Sequence, residues 1–153
     1  MPPTSGLAPV SVIKFDPCGL DASVVAELKL DASTKQTYNG GAPQGLETGC
    51  RWQNSATDST VGLDVGRSTR TRQDYLTNTS FAVIARTTVG SHEAVEFSGS
   101  DPADTFSVAI GVSAGVVVVT ANTNSSNKPG TTAPDAKTEV VRMATIIEPL
   151  LPS

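Results

Sequence analysis

The chain of 153 residues has two cysteines, one histidine and one tryptophan, and only 17% of it is charged. Each shortage closes off a class of chemistry. With His92 the only histidine, a four-ligand zinc site would need carboxylates in unusual number. Cys18 and Cys50 have 31 residues between them, so they form no Cys-x-x-Cys redox motif. No run approaches the roughly 20 apolar residues of a membrane-crossing helix, and the longest, at Gly115 to Val119, reads as strand. A net charge of −4 supplies no cationic field, so neither nucleic acid nor an anionic membrane surface is an expected partner. The glycines of "NGG" and "GAPQG" lack the spacing and the following Lys-Ser/Thr of a phosphate loop, and no GxSxG nucleophile elbow occurs.

The length suits one domain, burying roughly 68–70% of its unfolded surface. Abundant Gly, Pro, Ser and Thr fit an exported protein. In the opening "MPPTSGLAPVS", Pro2, Pro3 and Pro9 favour extended backbone without a period. Residues 1–14 are therefore expected to be a flexible tether downstream of a lost export signal, and residues 15–153 a single domain.

In "GLDASVVAELKL", Asp21 is a good N-cap, Leu20 and Val25 can form a hydrophobic staple, and Val24, Val25 and Leu28 make an apolar stripe. From Leu30 to Cys50 the polar, Gly-rich chain reads as a loop. Then the period becomes two. Cys50 and Trp52 alternate, as do Val61, Leu63 and Val65; Phe81, Val83 and Ala85 share a face with Val89; "HEAVEF" follows a tight turn at Val89-Gly90-Ser91. Phe106, Val108, Ile110 and Val112 alternate before a turn at Ser113-Ala114-Gly115 and a β-branched return strand. Asp135 is the N-cap of a last helix with Ala136, Val140, Met143, Ala144 and Ile147 on one stripe, ended by Pro149. The expected class is α+β: an antiparallel sheet of about five strands, with an N-terminal and a C-terminal helix packed on one face.

"FDPCGLDASVVAEL", then "GCRWQ", a "GLDV" strand and a helix closing on "LP" resemble the actinobacterial envelope lipoproteins grouped as domain of unknown function 3558. The resemblance spans residues 15–152 and implies an exported protein, lipid-anchored through a cysteine upstream of Met1, without assigned activity. The resemblance also implies a second cysteine pair, present in many members, which this chain lacks after Cys50, so its last helix is expected to hold by packing alone. On the residues themselves, the spacing of Cys18 and Cys50 and the lack of other ligands favour a disulfide tying the first helix to the first strand. Trp52, on the same face as Cys50, is expected to pack beside it.

"HEAVE" evokes HExxH but lacks the second histidine, and in a strand His92 and Glu96 lie about 13 Å apart. His92 is expected at the surface, and no metal or cofactor is expected. Arg67, Arg70 and Arg72 form the one dense cationic cluster. They read first as a solvated loop face, and as the anion- or partner-binding site if the domain binds through charge. The expected function is a non-enzymatic, envelope-anchored binding or accessory domain, monomeric and extracytoplasmic, with an unknown protein or small envelope ligand as partner. The rivals are a hydrolase or metal-dependent enzyme using His92 with Glu93, Glu96 or Asp101, and a carrier with an apolar cavity between sheet and helices.

Overall fold

Asp16 organises the turn that holds the first cysteine. Its Oδ1 accepts the Cys18 amide at 2.9 Å and its carbonyl accepts the Gly19 amide at 3.0 Å, so "DPCG" closes as a turn that presents Cys18. The computed structural model describes residues 12–40, 47–54, 60–77, 81–99, 105–124 and 135–152. Helix α1, Ala22–Glu27, starts at Asp21, whose side chain makes no capping bond. It stops because Lys29 turns left-handed at φ +64°, with Leu30 N–H bonded to the Val25 carbonyl and Lys29 N–H to the Ala26 carbonyl.

Seven strands follow: β1 (Asp31–Gly40), β2 (Glu47–Gln53), β3 (Thr60–Ser68), β4 (Val83–Val89), β5 (His92–Ser98), β6 (Thr105–Val112) and β7 (Gly115–Asn124). Between β3 and β4 lies α2 (Arg72–Leu76); α3 (Ala136–Ile147) and a 3-10 turn (Glu148–Leu150) close the fold. The strands form one antiparallel sheet in the order β1-β2-β3-β7-β6-β5-β4. The α+β class and antiparallel sheet stand; the count of about five strands is corrected to seven. The stretch after Leu30 is not all loop, since residues 31–40 pair with β2. Polar on both faces, β1 is held by its ladder and by Asp31, whose carboxylate takes the Ser33 hydroxyl and amide and is held below its usual pKa by those bonds.

One sheet face is covered by α1 and α3, and Leu28, Trp52, Met143 and Ile147, each at most 1% exposed, fill the space between them. Burying each such side chain is worth about 1.5–3 kcal/mol. Helix α2, absent from the sequence reading, covers the opposite face over β4, β5 and β6, so the helices do not all share one side. Its Tyr75 ring stacks on Phe97 at 5.0 Å. Phe81 lies before β4 and tilts against Phe97 at 4.5 Å, on the face opposite Val83 and Val89. Thr71 and Asp74 form a capping box: Thr71 Oγ1 accepts the Asp74 amide and Asp74 Oδ2 accepts the Thr71 amide. At the other end Asp135 accepts the Thr138 amide at 3.1 Å, so the second expected N-cap does bond.

Gly90, at φ +58°, turns β4 into β5, and Ser113-Ala114 turns β6 into β7 with Val112 opposite Gly115. Ile13 is 1% exposed within the main core, so packing begins inside the stretch read as a tether. Residues 1–11 of that tether lie outside the described residues.

Candidate functional site

Cys18 and Cys50 are joined as a disulfide, Cα to Cα 5.1 Å, and no cysteine is free. The "DPCG" turn supplies one sulfur and the buried face of β2 the other. Trp52, two residues on along the same face, is 1% exposed and belongs to the same core cluster. Cys50 and Trp52 are thus core packing residues, while Cys18 is half-buried at the edge of that core.

His92 is not a surface histidine. Its Nδ1 meets Glu148 Oε2 at 2.8 Å and its Nε2 meets the Pro152 carbonyl at 2.9 Å, with the side chain 10% exposed. It latches the chain's end onto the first residue of β5. Of the acids paired with it in the enzyme reading, Glu93 binds Arg72 on the other face and Glu96 faces Lys137 at 3.7 Å, while Asp101 lies outside the described residues. The acid at hydrogen-bonding distance is Glu148, which the sequence reading missed; no spacing rule links positions 56 residues apart. Among the described residues no group of three His, Cys, Asp or Glu could hold a metal ion.

The three arginines do not form one loop patch. Arg67 lies in β3 and donates from Nη1 to the Ile13 carbonyl at 3.0 Å and the Phe15 carbonyl at 3.2 Å. Its Nε is buried without a partner among the described residues, a cost of clasping the first packed segment to the sheet. Arg70, half-buried, sits between β3 and α2, and its amide bonds Ser68 Oγ. Arg72 opens α2, lies across Gly111 so closely that a Cβ there would come within 2.8 Å of its Nε, and pairs with Glu93 at 3.1 Å.

Arg72 and a residue the sequence reading passed over, Arg86 of β4, line one cleft. It measures about 750 Å³, within the range of small-molecule sites, and lies between the start of α2, the β4–β5 turn and the β6–β7 turn. Thr71, Gln73 and Ser91 add polar groups to its wall, and Leu76 and Val112 apolar ones. Arg86 is exposed and has no hydrogen-bond or ion-pair partner among the described residues. A single arginine in "VIARTTV" carries no sequence signal; only the placement of α2 over β4 brings it into the same cleft as Arg72.

Residues 2–146 match the family described as Protein of unknown function (DUF3558). The chain belongs to that family. Neither the curated proteins nor the solved structures contain a match to it. In this DUF3558 protein the matched stretch contains the disulfide, the arginine cleft and α3 up to Thr145 and Ile146, while Glu148 and Pro152, which hold His92, fall beyond it.

Proposed function

We propose that the protein is a non-enzymatic binding or accessory domain of an exported, lipid-anchored protein of the actinobacterial cell envelope, capturing an anionic ligand in the cleft that holds Arg72 and Arg86. Family membership and the buried disulfide, a bond that persists in oxidising compartments, support the location. One observation carries the ligand class: Arg86, which has no partner among the described residues, and Arg72 line the same cleft of about 750 Å³. Two planar forks with five donors each suit a carboxylate or phosphate, and Glu93, 73% exposed, can release Arg72 at little cost.

The test is a titration of the oxidised protein with inorganic phosphate and with acetate, read on the Nε–H signals of the arginines. Saturable shifts at Arg72 and Arg86 that weaken with added salt and vanish in Arg86→Ser at unchanged melting temperature are expected. Unmoved arginine signals at tens of millimolar anion, or equal binding by the variant, would overturn the reading.

A further inference from the structure

Beside α2, on the same side of the sheet, β2 and β3 present a polar surface. Register places Arg51 opposite Asp64 and Asp64 opposite Thr120; two residues along, Gln53, Gly62 and Asn122 form the next row. Gly62 has no side chain, so the middle of that row is hollow. The result is a groove of about 410 Å³ walled by Arg51, Gln53, Asp64 and Asn122.

Asp64 is short of donors. Its side chain is 20% exposed, yet the one described contact is Oδ2 to Arg51 Nη2 at 3.4 Å, near the limit for a hydrogen bond. Burial pushes its carboxyl above the usual value, with Arg51 pulling the other way. A half-buried carboxylate with one long contact costs stability where it stands, which is the mark of a group kept for something outside the fold. Asn122 is fixed by contrast: its Oδ1 accepts the Thr105 hydroxyl at 3.0 Å, which leaves its NH₂ as the donor end. The groove thus sets an acceptor, Asp64, among the donors Arg51 and Asn122, with Gln53 able to act as either.

We propose that this groove binds a neutral polyol, a sugar ring with adjacent hydroxyls. Each hydroxyl is donor and acceptor at once, so a vicinal pair can donate to Asp64 while accepting from Arg51 or Asn122. A free anion meets Asp64 and a free cation meets Arg51, so neutral hydroxyls satisfy this wall best. The inference stands apart from the arginine cleft.

The experiment titrates the ¹⁵N-labelled oxidised chain with the methyl glycosides of glucose, mannose, galactose and N-acetylglucosamine, and separately with glycine as a zwitterion. At least one glycoside should give saturable amide shifts confined to residues 51–53, 62–64 and 120–123. Asp64→Asn and Asn122→Ala should each weaken it about tenfold or more, because a hydroxyl is left without its partner. Asp64→Asn should do so while melting no lower than wild type at pH 7, and Arg86→Ser should leave glycoside binding unchanged. Gly62→Ala gives a second route if either variant fails to fold: its Cβ would stand 3.6 Å from the Trp52 carbonyl, ordinary contact, and would partly fill the floor. No shift with any glycoside, shifts that survive Asp64→Asn and Gly62→Ala, or binding of glycine alone would each overturn the proposal.

Discussion

Opening the Cys18–Cys50 bridge should cost more than any single side chain, and the size follows from the loop. The cysteines are 32 positions apart, so the closed ring holds 33 residues. Loop-closure entropy for that length comes to about 12.5 cal/mol/K, or about 3.7 kcal/mol at 25 °C. Cys50 is fully buried, so Ala rather than Ser belongs in the double variant, since a hydroxyl there would add a desolvation penalty of its own. Loss of the buried sulfur contributes about 1 kcal/mol more. Together this is a large part of a stability of about 5–15 kcal/mol and corresponds to a fall in Tm of roughly 9–19 °C. Urea unfolding followed by far-UV circular dichroism measures it, because Trp52 beside the disulfide is a biased fluorescent probe. The unfolded chain is also freer without the bridge, so the denaturant slope should rise. A loss under 1 kcal/mol with an unchanged slope would refute the reasoning, and would mean that the "DPCG" turn and the β1–β2 pairing restrain this loop without the bond.

Arg67→Ala should destabilise by about 3 kcal/mol, because it strips two buried carbonyls of a charged donor, whereas Arg86→Ala should stay within about 0.5 kcal/mol; chemical denaturation of the two variants separates clasp from cleft. Ala114→Gly should stabilise by about 1 kcal/mol, since Ala114 sits at φ +76° where a Cβ is penalised; an unchanged or lower Tm would count against that strain. Asp64 holds its proton more tightly folded than unfolded, so its contribution to stability is present below the ordinary carboxylate value of 3.8 and is lost as pH rises through its raised one. Asp64→Asn should therefore gain on wild type as pH climbs from 3.8 through that raised value and keep the gain above it, and curves that stay parallel across this window would contradict the burial argument. His92→Ala should speed hydrogen exchange at the Glu148 and Leu151 amides at least tenfold while the β6–β7 ladder stays protected, because both ring contacts to this turn are lost.

Local rules were enough to read much of the molecule from its sequence. Period-two runs located β2, β3, β4 and β6, turn signals and a β-branched run pointed to β5 and β7, the N-caps Asp21 and Asp135 located two helices, and the context of two cysteines with no further ligands gave their pairing. In each case the signal lies within a few residues of its effect, or depends on composition alone. The "TRQD" box at 71–74 was equally local and legible, but five residues are too few for a helical period, so α2 was passed over. Strand β1 had no apolar alternation to show, because its ladder with β2 rather than a buried face holds it. What only the tertiary structure decided is which strands are neighbours and in what register. Pairing β3 with β7 brings Asp64 to Thr120 and Gly62 to Asn122 across more than fifty residues, and folding the N-terminal segment back over β3 turns Arg67 from a surface cation into a clasp. Packing of the C-terminal 3-10 turn against β5 buries His92 against Glu148, and the seating of α2 over β4 brings Arg72 and Arg86 into one cleft. Such meetings depend on the summed packing of the whole sheet, and no spacing within the chain encodes them.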